Sequence, residues 1–257
     1  MSSWIIAKAR QQKKPREITM YHDTSSSRDI LSMYLHYLAA FIYCQKIGET
    51  CNVWDTTGLI KDSLKLTPQV RLLKEQPQIN PIANTEMNEI LSKLTFKDIQ
   101  KVASGLLVYD DSLNNSIIKA LDKFGIKGKN IFDIGIHLDS GTPTDTSITR
   151  LVELIRAFQV KSKKDKLNIY VMSDTYNKVI EFQKLCDASW KITSLSKNVP
   201  RGSDETFIQI LADIQIMSGL TALILDFNKP ADKFIYLMQK GKMDYFVEIS
   251  SSDWKIL

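Results

Sequence analysis

The feature that most constrains the fold is an alternation running from residue 130 to residue 249. Short apolar runs at 130–138, 167–172, 191–195, 222–226 and 246–249 read as strands. Between them, 148–158, 176–185, 206–218 and 231–239 carry apolar residues at helical spacing, as in Ile148, Leu151, Val152, Leu154, Ile155 and Phe158. Strands that are apolar on both faces must be covered on both, and strands separated by helices pair in parallel through crossovers. The series therefore predicts an α/β fold with a parallel sheet between two layers of helices.

The first half is less regular. Ile30, Met33, Tyr34, Tyr37, Leu38, Phe41 and Ile42 predict a helix over 27–47, with Ser25, Ser26 and Ser27 available to cap it and Gly48 to stop it. Residues 50–54 predict a strand ending at Asp55, and Pro68, Pro77 and Pro81 predict loop and turns over 66–83. Two short helices are expected at 85–94 and 95–102, the second opened by Thr95 with Asp98 three residues on. Another is expected at 114–124, stopped by Gly125. The polar, glycine-bearing stretch 125–130 is the expected boundary, giving a solvated basic tail at 1–17 and domains at 18–127 and 128–257.

Composition excludes several classes. With 257 residues, 44% of them hydrophobic, the chain can bury one large core or two small ones without disulfide or metal staples. A net charge of +5 tolerates anionic ligands but does not mark a dedicated nucleic-acid binder. The cysteines, Cys44, Cys51 and Cys186, form no C-x-x-C pair, and His22, His36 and His137 lie far apart, which argues against structural zinc. So few cysteines fit a reducing compartment. No apolar core follows the basic stretch 8–16, and no apolar run is long enough to cross a bilayer. A cytoplasmic protein without membrane insertion is expected.

In open parallel sheets, ligands bind at the carboxyl ends of the strands. The strand 130–138 brings His137 to such an end, and Asp139 two residues on shares its side of the strand. The polar loop from Ser140 to Asp145 offers backbone N–H groups to an anion. The next strand leads to Ser173 and Asp174, and the later one to Asn228 and Lys229. Asp213 sits among Ile210, Leu211, Ile214 and Ile216, where a carboxylate is costly unless paired or functional. Ser218 closes the same helix, and Arg201 lies in the loop before it, as a phosphate ligand or as a solvated charge. His137 has two readings, a ligand or a buried histidine bonded to a carbonyl. Asp174 also has two, a site residue or a helix cap.

Four segments in order carry a family resemblance. Ile134-Gly-Ile-His-Leu-Asp139 resembles the I-G-V-H-x-R-R strand of the α-1,6-fucosyltransferases and their nodulation-type and protein O-fucosyltransferase relatives. Ile169-Tyr-Val-Met-Ser-Asp-Thr175 is similar to their later strand, and Ile210-Leu-Ala-Asp-Ile-Gln-Ile-Met-Ser-Gly219 to their L-x-D-I-x-x-L-S helix. Ala222-Leu-Ile-Leu-Asp-Phe-Asn-Lys229 stands where their strand ends in serines. The helix at 28–47 with Gly48 and the strand to Trp54 resembles their amino-terminal element. The resemblance implies two Rossmann-like domains facing across a cleft, the GT-B type of glycosyltransferase. It further implies a carboxy-terminal half that holds a nucleotide sugar, an amino-terminal half that holds the acceptor, and no metal or other cofactor. His137 and Asp213 match the residues that contact the guanine of the donor in that family. An aspartate suits the N1/N2 edge of guanine, which presents only donors.

The chain also departs from the family. Asp139 and Ser140 stand where the family has paired arginines that clamp the diphosphate, and Ser25-Ser26-Ser27-Arg28 replaces the glycine-rich loop. Arg28, Arg201 and Lys229, with backbone N–H groups, are the remaining candidates for neutralising a diphosphate, and Ser26, Ser27 and Arg28 for an acceptor or phosphate loop. Inverting transfer needs a base for the acceptor hydroxyl; Asp139 is the first candidate and Asp145 the second, unless Asp139 only binds loop N–H groups. The expectation is a metal-independent inverting glycosyltransferase using a GDP-sugar, fucose by resemblance, with a glycan or glycoprotein acceptor. A bacterium or a large DNA virus is the expected source. The alternative is an inactive nucleotide- or sugar-binding module on the same fold. A dinucleotide-dependent redox enzyme is disfavoured because no G-x-G-x-x-G occurs.

Overall fold

A computed structural model describes residues 5–8, 18–21, 30–55, 58–74, 80–82, 93–126, 131–138, 146–196, 204–240, 243–249 and 255–256. Its contacts divide the chain into two compact units, Met1–Leu113 and Asn114–Leu257.

In the first unit the elements are β1 (Ile5–Lys8), β2 (Ile18–Tyr21), α1 (Ile30–Ile47), β3 (Cys51–Trp54), α2 (Leu59–Ser63), β4 (Val70–Leu72), β5 (Asn80–Ile82) and α3 (Phe96–Leu106). They build a mixed sheet in the order β4-β3-β2-β1-β5. Strands β2, β3 and β4 are parallel, and β1 runs antiparallel to β2 and β5. The parallel part is a βαβαβ run, β2-α1-β3-α2-β4. Helix α1 forms where its periodicity predicts and buries Leu31, Tyr34, Tyr37, Leu38, Phe41, Ile42 and Cys44. Asp55, just past β3, accepts the N–H groups of Ile60 (2.7 Å) and Lys61 (3.1 Å) and so opens α2. Thr95 and Asp98 form the capping box expected of them.

Two differences from the sequence reading have local causes. Ile5–Lys8, inside the stretch read as a basic tail, is β1, because it finds partners on both edges. Strands β4 and β5 lie inside the stretch read as loop. Pro81 is compatible with β5 because β5 is the sheet's border, where a missing N–H breaks no ladder on the open side. The helix expected at 85–94 and the caps at Ser25, Ser26 and Ser27 fall almost wholly outside the described residues.

Helix α4 (Asp111–Lys123) leads into the second unit and stops where expected, at Gly125, whose φ of +70° suits glycine. Then follow β6 (Ile134–Leu138), α5 (Thr146–Ser162), β7 (Leu167–Ser173), α6 (Tyr176–Leu185), β8 (Trp190–Thr193), α7 (Asp204–Met217), β9 (Ala222–Leu225), α8 (Pro230–Leu237), β10 (Tyr245–Glu248) and β11 (Lys255–Ile256). The predicted series is present, with ends shifted by a few residues. The sheet runs β11-β10-β9-β6-β7-β8. All neighbours are parallel except β10 and β11. Read from the β8 border in chain order, this is the Rossmann order three, two, one, four, five, six. The division of units falls after Leu113, ahead of the expected 127/128, because most of α4 sides with the second unit.

The two faces of this sheet differ. Ile134, Ile136 and Leu138 of β6, with Ile169 and Val171 of β7 and Ile224 of β9, pack on Leu151, Ile155 and Phe158 of α5 and Val179 and Phe182 of α6. The alternate residues, Gly135, His137, Tyr170, Met172 and Leu223, point to the other face, which α7 and α8 cover. No described helix is long and apolar enough to cross a membrane.

Gly135 permits the crossing of α7. A β-carbon there would lie 2.5 Å from Met217 Sδ, 2.7 Å from Leu220 Cδ1 and 2.9 Å from Leu223 Cδ2. All three neighbours are buried and have little room to swing aside. Gly135→Ala is expected to cost about 1–3 kcal/mol by overpacking, read as a lower midpoint in urea unfolding with an unchanged slope.

Candidate functional site

After β8 the chain crosses back through α7 to β9 on the far side of β6. That reversal puts the switch point of the sheet at the carboxyl ends of β6 and β9, the place where Rossmann sheets take ligands. His137 is the penultimate residue of β6, and Asp226 directly follows β9.

The residue that holds His137 was not foreseen. Asp232 of α8, 95 positions away, places Oδ1 2.6 Å from His137 Nδ1. The side chains are 7% and 1% exposed. The other carboxylate oxygen, Oδ2, accepts the Asp226 N–H at 2.6 Å. One buried carboxylate thus ties the end of β6 to the turn after β9. Asp232 lies in the first turn of α8, after Pro230, where the helix dipole favours negative charge. In the sequence, Pro230-Ala-Asp232 reads as an ordinary helix start; its pairing with a strand histidine is purely tertiary.

A second buried network lies beside it. Tyr170 of β7 donates its hydroxyl to Asp213 Oδ1 and takes a backbone hydrogen bond from Leu195. Gln209, one turn earlier on α7, also bonds Asp213 through its side chain. Asp213 is 2% exposed, so in this structure it acts on its neighbours rather than on solvent. Burial pushes its carboxyl up to about 7, against the lowering effects of the Tyr170 bond, the charge of His137 and the Gln209 bond. Burial, then the Asp213 charge, drives the Tyr170 phenol well above its ordinary range. The Coulombic effect of His137 on Asp213 puts the two in electrostatic reach. Gln209 Oε1 is buried with no partner among the described residues, and Gln209 borders a cavity of about 220 Å³. Ser116, Lys119, Lys123, Phe124, Leu195 and Ile208 also line that cavity.

The other expected residues divide. Ser173 is buried and folds onto its own turn, donating to Thr175 O (2.9 Å) and accepting Thr175 N–H (3.2 Å). Asp174 is exposed at the carboxyl edge, and the capping position of α6 belongs to Thr175. Asn228 and Lys229 lie in the turn after β9, their N–H groups bonded to Asp226 at 3.0 and 2.9 Å. Ser218 is not brought to the switch point. It ends α7 at the opposite, amino edge of the sheet, with its hydroxyl donating to Gln215 O at 3.3 Å. Ser26, Ser27, Arg28, Asp139, Asp145 and Arg201 lie outside the described residues. Among the described residues, no three His, Cys, Asp or Glu side chains gather as a metal cage.

Neither a protein-family model nor a curated protein sequence matches the chain. Solved structures do. The fucosyltransferase NodZ from Bradyrhizobium is 10% identical and superposes with a TM-score of 0.60, over 89% of this chain and 94% of that one. The NodZ α-1,6-fucosyltransferase co-crystallised with GDP gives a TM-score of 0.57 at 10% identity, over 89% and 94%. The same enzyme soaked with GDP-fucose gives 0.55 at 10% identity, over 88% and 94%. This chain has a fucosyltransferase-like fold.

The raised carboxyl of Asp213 has a consequence for stability. Its folded pKa, about 7, lies above the ordinary carboxylate value. As pH climbs through the carboxylate range, the unfolded chain ionises while the folded one stays protonated, so stability is lost up to about pH 7 and then levels off. Asp213→Asn keeps the acceptor for Tyr170 and removes this loss. Its melting temperature is expected to exceed that of the wild type above pH 7 by several degrees, with the gap closing towards pH 4, as differential scanning calorimetry across pH would read.

Proposed function

We propose that this chain is an inverting glycosyltransferase of the two-Rossmann-domain type, taking a GDP-sugar, with fucose the first choice, and a glycan or glycoprotein acceptor. The observation that carries the proposal is the gathering of His137, Asp213 and Asp232 at the switch point of the second unit's sheet. It is supported by the fold shared with a fucosyltransferase that was crystallised with GDP and soaked with GDP-fucose.

In this reading the second unit binds the donor. His137 contacts it directly. Asp213 orients Gln209, whose amide edges the cavity beside α4, so that the N1/N2 donor edge of guanine meets an acceptor. Asp174, Asn228 and Lys229 stand at the same edge of the sheet, and Ser173 shapes the turn beneath Asp174. Arg201 and Arg28 supply further positive charge, and Ser26 and Ser27 belong to the acceptor side. Asp139, one residue past β6, is the first candidate for the base, and Asp145 is the second. As the base takes the acceptor proton, the acceptor oxygen bonds to the anomeric carbon. The carbon–oxygen bond to the diphosphate breaks, and GDP leaves with the electron pair.

A thermal-shift series with GDP, UDP, ADP and their sugar conjugates tests the donor. GDP and GDP-fucose are expected to raise the melting temperature most, since ligand binding to the folded state stabilises it by mass action. A preference for UDP would remove the base-recognition role of Asp213 and Gln209. Hydrolysis or transfer of GDP-fucose by the wild type, lost by about 100-fold or more in Asp139→Asn, supports the enzymatic reading. Tight GDP binding without turnover leaves the binding module, which the missing arginines after His137 favour.

A further inference from the structure

We infer that the amino edge of the second unit's sheet is a docking surface for an anionic membrane, formed by the last turns of α5 and α6 and the loops that follow them. The inference is independent of the donor reading, and resting on a lipid surface needs no spanning helix.

Residues 160–166 hold four lysines and one aspartate. They close α5 and lead into β7. A lysine in the last turn of a helix is favoured by the dipole, which accounts for Lys161 but not for Lys163, Lys164 and Lys166 beyond it. Lys163 has a φ of +54°, in the left-handed region where glycine is the usual residue. A charge is kept there against the preference of the backbone.

The neighbouring turn is tied to this one. Gln159 donates its amide N–H to Asp165 O at 3.1 Å and accepts the Trp190 indole N–H at 2.8 Å, so the lysine loop lies beside the start of β8. Arg156, one turn before Val160, is in electrostatic reach of Cys186 and Asp187, which sets the end of α6 next to the end of α5. Lys184 and Leu185 thereby join the same surface.

The five lysines are exposed. Lys164 pairs with Asp133, and Lys161 lies 5.8 Å from the centre of the Tyr245 ring. Lys163, Lys166 and Lys184 have no carboxylate partner among the described residues. The carboxylates here are Asp133, Asp165 and Asp187, and Asp187 is bonded by the N–H and hydroxyl of Ser189. Positive charge therefore prevails.

Apolar side chains among the lysines decide the partner. Val160 is 80% exposed and Leu185 48%. Lysines draw a protein to acidic headgroups, and such apolar groups enter the interface between headgroup and acyl chain. A nucleic acid would instead call for aromatic side chains to stack on bases, and none is exposed among the described residues of these two turns. His137, Asp174 and Lys229 stand at the opposite, carboxyl edge, so docking in this way leaves that edge turned to solvent.

The test is co-sedimentation with vesicles of phosphatidylcholine alone and with about a third phosphatidylserine, at low and high salt. The wild type is expected to bind the anionic vesicles, to ignore the neutral ones, and to be released by salt. Each lysine neutralised should weaken binding about fivefold, so the triple variant Lys163→Glu, Lys166→Glu, Lys184→Glu should lose roughly 100-fold or more. Val160→Ser with Leu185→Ser keeps the charge and should weaken binding several-fold. All five positions are exposed, so both variants should keep the wild-type melting temperature, which circular dichroism checks. The inference is overturned if the wild type binds both vesicles alike or neither, if either variant binds as tightly as the wild type, or if a single-stranded oligonucleotide displaces the vesicles from the same lysines. No nucleotide sugar enters the experiment, so its failure leaves the donor reading standing, and the absence of a thermal shift with GDP leaves the vesicle result standing.

Discussion

The second unit is organised by one close approach. Helix α7 and the turn after it run back over β6 where Gly135 presents no side chain beneath Met217 and Leu220. That crossing carries the chain from the β8 border to β9 on the other flank of β6, and the reversal of strand order sets the switch point. A bulkier residue would push helix and sheet apart. The Tyr170–Asp213 bond, which spans the same two layers, would be strained with it.

The polar groups at the carboxyl end of the sheet are arranged in two linked tiers. Asp232 joins β6 to the turn after β9, and Asp213 joins β7 to α7. Both carboxylates are buried, and each is held by at least two donors, which is what makes a charge tolerable in such surroundings. Asp232 sits at a helix start with an imidazole and a backbone N–H, whereas burial pushes the Asp213 carboxyl up to about 7. A site of this kind keeps two buried carboxylates within reach of a single histidine.

The alternation after residue 130 was legible because each strand is short, apolar and bounded by polar turns, so period and length agreed. His137 was legible because it is a lone imidazole at the end of such a strand, and Asp213 because a carboxylate among Leu211, Ile214 and Ile216 breaks the local rule. Asp232 was hidden: acidic residues are ordinary in a first helical turn, and nothing local records a partner 95 positions away. Gln209 and Tyr170 were hidden for the same reason, since amphipathic side chains inside apolar elements look like filler until the opposite layer is known. Ser218 illustrates the reverse error. The helix containing it was recognised, but α7 runs opposite to the strands, so its last turn faces the edge away from the switch point. In the first unit, β1, β4 and β5 have three or four residues each, too few to show a period, and their pairing is long-range.

The borders of the second sheet have a bearing on how the molecule behaves in a crowded solution. One border, β11, is a two-residue strand containing Lys255; the other, β8, has four residues, with Lys191 exposed among them. Among the described residues, both borders are strands of four residues or fewer that contain a lysine, a composition that discourages pairing with foreign backbone. The ladder is thereby discouraged from recruiting extra strands, so a largely apolar sheet carries its own safeguard against aggregation.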